Sequence, residues 1–296
     1  MTIAVTGAGG LLGRAIVDHL RRAGFPVLVL SGSLASSADY EVRRWRADCS
    51  WEQSAEMLRG ATALVHAAAH IPRNQKDPDE ARACAEVNAL GTLQLLRASE
   101  AAGLTRFIFI SGANILRLQE RPVHEDDAIG CEHAPYYLGS KVLGEIYVRS
   151  WSSQALRTLT LRPSAIYGPG MVSGVFPLFI EQLRSGKPIV LKNGGSYRAD
   201  FIWRDDVASL VAQALQGAQV GEVNLGSGQA HSLLEVAQLL CEVLNADPRL
   251  ITVEPATDSA GSAGFSAVDI SRAQRLFGFR PVSLKQGLEL WLARRS

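Results

Sequence analysis

The stretch Thr6-Gly7-Ala8-Gly9-Gly10-Leu11-Leu12-Gly13 decides the fold. It follows an apolar run, Thr2–Thr6, that reads as a strand, and it opens Leu11–Ala23, which has helical spacing. Gly7, Gly10 and Gly13 fall in a G-x-x-G-x-x-G pattern. In a strand–turn–helix junction, Gly7 permits the tight turn and Gly10 lets the backbone approach a pyrophosphate. Gly13 lets the helix pack on the strand, and the first helical N–H groups, at Leu11 and Leu12, face the phosphates. The stretch therefore predicts a dinucleotide site at the first strand–helix junction. Read blandly, it would be a glycine-rich turn with no ligand.

The same alternation continues outward. Pro26–Leu30, Ala61–His66, Phe107–Ser111 and Leu156–Arg162 read as strands, and long helices are expected near Glu80–Ala102 and Tyr136–Gln154. Strands alternating with helices give βαβ units and a doubly wound parallel sheet covered on both faces. The strand runs lack strict polar alternation, as burial on both faces requires. After Pro163 the character changes: Gly168-Pro169-Gly170, Gly186-Lys187-Pro188 and Asn193-Gly194-Gly195 punctuate short elements. Helices are expected at Asp205–Gln216, at Leu233–Leu244 behind an N-cap at Ser232, and as two short pieces within Asp269–Leu292. Gly261–Gly264 reads as a loop. The division expected is a dinucleotide-binding domain over 1–165, rejoined by segments around 199–228, and a smaller α/β substrate lobe over 166–296.

The chain has 296 residues, enough for about two domains at roughly 150 residues each. With 30 Lys and Arg against 29 Asp and Glu, its net charge of +1 offers no footprint for nucleic acid or an anionic membrane. No apolar run approaches the ~18 residues of a spanning helix, and the N-terminus has no basic signal-peptide start. Cys49, Cys84, Cys131 and Cys241 are far apart, which suits reduced thiols in a cytoplasmic protein and argues against a zinc site.

Cofactor choice is read at the end of the second strand. NAD-specific sites place an acid there for the ribose hydroxyls, whereas this chain has Ser31-Gly32-Ser33. The serines accommodate a 2′-phosphate, with Arg14, Arg43 or Arg44 as counter-charges, so the expectation leans to NADP with NAD as the alternative. Equally, Ser31 and Ser33 are ordinary loop starters. Asp48 is a candidate acceptor for the adenine amino group, or a cap. Tyr137-Leu138-Gly139-Ser140-Lys141 puts a phenol and an ammonium four residues apart on one helix face. Lys141 and a cationic nicotinamide would lower the phenol's pKa and make Tyr137 an acid or base.

With these residues on the page, the chain resembles the extended short-chain dehydrogenase/reductases, the NAD(P)-dependent epimerase/dehydratase group that acts mainly on nucleotide sugars. The resemblance is carried by Gly7–Gly13, His66-Ala67-Ala68-Ala69, Asn88-Ala89-Leu90-Gly91-Thr92, Tyr137–Lys141, Arg162-Pro163, Tyr167-Gly168-Pro169-Gly170, Arg198-Ala199-Asp200-Phe201 and Asn224-Leu225-Gly226. It implies a Rossmann domain, hydride chemistry and a homodimer. It also implies cofactor contacts at Ala67, Ala68, Asn88, Lys141 and Pro163, and catalysis by Tyr137 and Lys141.

The departures are local. The group's third catalytic residue is a Ser or Thr, and alignment puts Gly112 there; a one-residue slip would install Ser111, and otherwise Ser111, Asn114 or water substitutes. The dehydratases' Asp-Glu pair is replaced by Ala113-Asn114, which disfavours dehydration. The phosphate-holding Asn after Arg-Pro is Ala165, and Pro255–Phe265 supplies no Arg, leaving Arg198 as the phosphate clamp. His66 reads as structural, and His70, His124 and His133 as unpaired. Three readings follow: a nucleotide-sugar 4-ketoreductase, a 4-epimerase that retains NAD, and a low-turnover protein that senses NADP.

Overall fold

A computed structural model describes residues 1–36, 38–153, 155–255, 264 and 266–293. The first half runs β1 (Ile3–Thr6), α1 (Leu11–Arg22), β2 (Val27–Ser31), β3 (Glu41–Arg44), α2 (Trp51–Leu58), β4 (Ala63–His66), α3 (Pro78–Cys84), a π-helical turn (Ala85–Leu90), α4 (Gly91–Ala101), β5 (Arg106–Ile110), α5 (Pro135–Trp151) and β6 (Arg157–Pro163). The second runs β7 (Ala165–Tyr167), α6 (Val175–Arg184), β8 (Ile189–Leu191), β9 (Arg198–Trp203), α7 (Arg204–Ala214), β10 (Gly221–Leu225), β11 (Ala230–Ser232), α8 (Leu233–Leu244), β12 (Ile251–Val253), α9 (Ser271–Phe277) and α10 (Leu284–Ala293).

Seven strands form one sheet in the order β10-β6-β5-β4-β1-β2-β3, with every pairing parallel. Alternate side chains sort to its two faces. Val5, Val29, Val65, Ile108 and Leu161 pack with Ile16 and Leu20 of α1 and Val207 and Val211 of α7. Ala4, Leu28, Leu64, Phe107 and Phe109 pack with Leu58 of α2, Leu95 of α4 and Val148 of α5. Burial on both faces is why these strands read as unbroken apolar runs. A separate core around Tyr167, Phe176, Trp203, Leu240 and Trp291 gathers α6, α8, α10 and the three-stranded sheet β11-β9-β7. No helix among the described residues is long and apolar enough to cross a membrane.

The expected strands and helices of the first half are present, with ends shifted by one to three residues. Gln154, Gly261–Ala263 and Phe265 lie outside the described residues. Besides α6 and β9, for which no element was expected, further features were not anticipated. The helix α2 is short, and its start is fixed by a capping box in which Ser50 and Gln53 satisfy each other's backbone N–H groups. Strands β7, β8, β11 and β12 have three residues each, too few to show a period. The run expected as one helix near Glu80–Ala102 contains the π turn at Ala85–Leu90.

Candidate active site

The strand order reverses between β1 and β4, and a doubly wound sheet opens its binding crevice at the carboxyl ends of such a pair. Thr6 and His66 are register partners there. Gly7 follows with φ +74°, and a Cβ on it would stand 2.5 Å from the Ala67 carbonyl carbon and 2.6 Å from the Ala68 nitrogen. A Cβ on Gly13 would stand 2.0 Å from the Gly7 oxygen. Only glycines allow loop, strand end and helix to meet this closely. Gly10 is exposed at the N-cap of α1 and makes no side-chain cap. The N–H groups of Leu11, Leu12 and Gly13 thus face an exposed glycine turn, a shape and polarity that fit a dinucleotide pyrophosphate.

Beneath this loop, a buried relay fixes both strand ends. The Thr92 hydroxyl donates to the Asn88 carbonyl (2.7 Å), so it accepts from His66 Nε2 at 3.0 Å. His66 Nδ1 therefore accepts from Thr6 Oγ1 (2.7 Å), which in turn accepts the Ala68 N–H (3.2 Å). Burial takes the His66 ring down to about 3, consistent with one proton on Nε2. His66 is structural, as expected.

At the adenosine end, Ser31 Oγ accepts the N–H groups of Ser33 and Leu34, both at 3.2 Å, closing the turn after β2. Arg43 is not available as a counter-charge: it is held by Glu41 and by the carbonyls of Met57 and Arg59. Arg44 donates to the Gly32 carbonyl, and Arg14 is exposed in the first turn of α1. Asp48 is exposed and meets Arg46 at 3.2 Å. Arg46 escaped the sequence reading; its Cγ would lie 3.2 Å from a Cβ on Gly32, so its stem runs beside the turn after β2.

Tyr137 and Lys141 lie one turn apart on α5, which starts with Pro135 in its first turn. The π turn sets their depth. Asn88 sits in it and donates to the His70 carbonyl and Ser140 Oγ, each 2.9 Å, while its own oxygen accepts the His70 N–H at 2.7 Å. Ser140 in turn donates to the Tyr137 carbonyl at 2.7 Å. Such single-turn π segments recur at functional sites. Lys141 is 2% exposed; its Nζ donates to the Ile110 carbonyl at 2.6 Å and lies 4.4 Å from the Phe109 ring centroid. A buried Arg162–Glu145 pair at 2.6 Å locks the next turn of α5 onto β6. Burial brings the Lys141 ammonium down to about 8, opposed by Glu145, and pushes the Tyr137 phenol up to about 12. The lowering expected from Lys141 and a cationic nicotinamide concerns the cofactor-bound enzyme; in the protein itself desolvation dominates and Lys141 is turned to a backbone carbonyl.

A cavity of about 240 Å³ brings Tyr137 together with Ser111, Gly112, Asn114 and Pro163. Ser111 is buried, its N–H bonded to the Leu161 carbonyl and its hydroxyl without a partner among the described residues. Gly112 has extended backbone, and a Cβ there would lie 2.5 Å from Asn114 Oδ1. The Asn114 amide thus fills the space that a Ser or Thr side chain at position 112 would take.

Asp200 ties the cavity floor. It accepts hydrogen bonds from the Ser164 and Ser227 hydroxyls and from the N–H groups of Ser227, Gly228 and Val268. Beyond it, an open groove shares Leu118 and Ser266 with the cavity and is lined by Arg198, His231 and Glu235. Arg198 is therefore apart from the Tyr137 cavity, bonded to the Ala230 carbonyl and 3.5 Å from Glu235. The histidines expected to be unpaired are not: His70 Nε2 lies 2.5 Å from Glu80, and His124 3.6 Å from Asp269. The His70 ring holds the Glu80 carboxyl below its usual range.

Known proteins give this geometry its context. A UDP-glucose 4-epimerase of Mycolicibacterium smegmatis is 27% identical, over 97% of this chain and 96% of its own. A dTDP-4-dehydro-6-deoxy-D-allose reductase of Streptomyces bikiniensis is 25% identical over 97% and 94%. The crystal structure of a UDP-glucose 4-epimerase from Thermotoga maritima superposes with a TM-score of 0.84 at 24% identity, over 99% of this chain and 98% of that one. Residues 3–226 match the model of the NAD dependent epimerase/dehydratase family, so the chain is an enzyme belonging to that family.

Proposed function

We propose that the enzyme is a nucleotide-sugar 4-ketoreductase, with Tyr137 as the proton donor to the carbonyl oxygen. The observation that carries this reading is the convergence of Tyr137, Asn114 and Pro163 on one cavity, with Lys141 buried one turn along α5. When bound, the nicotinamide supplies the hydride. Tyr137 then gives its proton to the oxygen as negative charge develops there. A phenol held well above neutral is a proton donor, and a reduced nicotinamide carries no positive charge to strip it beforehand. Lys141 supplies the positive charge that stabilises the phenolate left behind. The Asn114 amide orients the substrate oxygen in place of the missing hydroxyl. Ala113-Asn114 supplies no carboxyl to expel a water, which disfavours dehydration.

Gly7, Gly10, Leu11, Leu12, Gly13, Ala67, Ala68, Asn88 and Pro163 make the cofactor half in this proposal, within residues 1–165 and returning segments around 199–228. NADP is favoured over NAD because Ser31-Gly32-Ser33 carries no acid and Arg44, Arg46 and Arg14 lie on elements around it. Arg198 serves the phosphate end, and two copies associate as a homodimer in the cytoplasm.

The second reading is a 4-epimerase, favoured by the names of the relatives. An epimerase restores its cofactor each cycle and gains from holding it. The test is to denature a fresh preparation, identify any dinucleotide released, and titrate the apo-protein with both reduced cofactors. NADPH binding several-fold tighter than NADH, with little NAD released, supports the reductase. Stoichiometric NAD, or a preference for NADH, overturns it in favour of the epimerase.

A further inference from the structure

The cavity at Tyr137 is hydrocarbon on most of its wall. Leu116, Leu118, Val123, Ile166 and Val268 line it together with Ala113 and Ala165. Its polar side chains are few, and two are already engaged by the protein. Ser164 donates to Asp200 at 3.2 Å; Ser266 donates to the Gln119 carbonyl at 2.7 Å and accepts the Gln119 N–H at 2.8 Å. That leaves Ser111, Asn114 and Tyr137 among the described residues, enough for one carbonyl oxygen and about one further polar group.

The wall is also fixed. Leu116, Val123 and Val268 are buried at 3% exposure or less and belong to one packed cluster with Ile115 and Leu138. Val123 and Val268 are joined by a parallel bridge, with the Val123 N–H bonded to the Ala267 carbonyl and the Asp269 N–H to the Val123 carbonyl. Those backbone groups are satisfied and cannot turn inward. A ring bearing several hydroxyls would lose water partners here and, among the described residues, find only Ser111, Asn114 and Tyr137 in exchange.

We propose that the substrate carbonyl lies in hydrocarbon surroundings: the carbons seated in this cavity beside it carry methyl or methylene groups rather than hydroxyls. The inference rests on the reading that Tyr137 acts on a carbonyl in this cavity. Two sources share that chemistry, a deoxygenated sugar on a nucleotide and a free alkyl ketone. Among its described residues the neighbouring groove carries no net positive charge for a phosphate. Its Arg198 stands against Glu235, and His231 Nδ1 is 3.8 Å from the same carboxylate, so its charge is balanced locally.

The test uses matched pairs with the full-length protein. Oxidation is followed with NADP on dTDP-6-deoxyglucose and dTDP-glucose; reduction is followed with NADPH on cyclohexanone and 2-hydroxycyclohexanone. In any pair that turns over, kcat/KM should favour the deoxygenated member by about 10–10²-fold, the range a hydrophobic pocket achieves against an added hydroxyl. Turnover confined to the nucleotide pair identifies the sugar source, and turnover confined to the ketones the alkyl one. Leu118→Asn, at a half-exposed wall position, should lower the ratio several-fold, and Ala165→Asn gives a second, independent polar wall. Equal rates, or a preference for the hydroxylated member, overturn this inference and leave the assignment of Tyr137 standing. Unchanged turnover in Tyr137→Phe, or no turnover of any member by the wild type, overturns the reading beneath it and the inference with it.

Discussion

The two halves of the cleft are built on different principles. Around Gly7, the backbone of three elements meets within contact distance, and the polar groups of Thr6, His66, Thr92 and Asn88 are joined in one buried relay. Around Asn114 and Ala165, the wall is mostly hydrocarbon and the Ser111 hydroxyl is without a partner among the described residues. A dinucleotide presents the same phosphates in every member of a family, so its site has one good solution and little freedom. The substrate half reads whatever differs between substrates, and the departures expected from the resemblance, at Gly112, at Ala113-Asn114 where the dehydratases carry their acids, and at Ala165, all fall there.

Breaking the shared machinery should have the largest effect. Tyr137→Phe should reduce turnover by roughly 10²–10⁴-fold, the usual worth of a positioned acid, while cofactor titration stays near wild type. Retention of turnover would show that the proton comes from elsewhere.

Gly13→Ala attacks the cofactor half alone. Its Cβ would stand 2.0 Å from a backbone oxygen, which cannot swing aside as a side chain can. Overpacking of this kind costs about 1–3 kcal/mol, and the displaced α1 terminus should weaken dinucleotide binding by about tenfold or more. Thermal unfolding with and without cofactor separates the two effects. If the variant binds cofactor normally, the close approach of α1 to the Gly7 loop is not what shapes the site.

The buried ammonium of Lys141 makes activity and stability move in opposite directions with pH. Its pKa is about 8 in the folded protein against an ordinary 10.5. Between those values the unfolded chain binds the extra proton, so stability should rise with pH from about 8 to 10.5. Over the same interval the folded protein loses the charge that stabilises the Tyr137 phenolate. The kcat/KM for reduction should therefore fall above about pH 8, by up to tenfold per unit. Denaturation midpoints and initial rates in one buffer series would test it; both quantities falling together would place the pH effect elsewhere.

The cofactor half was legible in sequence because its constraints are local. Gly7, Gly10 and Gly13 occupy one turn, and Tyr137 and Lys141 one helical face. The substrate half is assembled from residues far apart in the chain, such as Asn114, Ala165 and Val268, joined through Asp200 and a two-residue bridge. No periodic pattern announces such a wall. The partners of His70 and His124 were missed for the same reason, since Glu80 and Asp269 meet them only in the fold. Helix spacing places Lys141 beside the phenol but says nothing of the Ile110 carbonyl that its ammonium meets in the fold. Arg46 was passed over because the stem of a side chain leaves no mark in composition.

The finest test concerns the space above Gly112. Asn114 Oδ1 stands where a serine side chain would begin, so Gly112→Ser must first rotate the amide away. An amide end moves cheaply, and turnover of Gly112→Ser should stay within a few-fold of wild type or rise. Asn114→Ala should cost about tenfold if the amide orients the substrate oxygen, the worth of one hydrogen bond of about 1.4 kcal/mol. The two substitutions compete for one place, so they should not add. With Ser at 112, removing Asn114 should cost little, an interaction of about 0.5–3 kcal/mol in a double-mutant cycle. Simple additivity would mean that the amide only fills space. A severe loss in Ser111→Ala, with Asn114→Ala unaffected, would move the role to the buried hydroxyl at the end of β5, and the substrate half would then keep the family's arrangement one residue earlier in the chain.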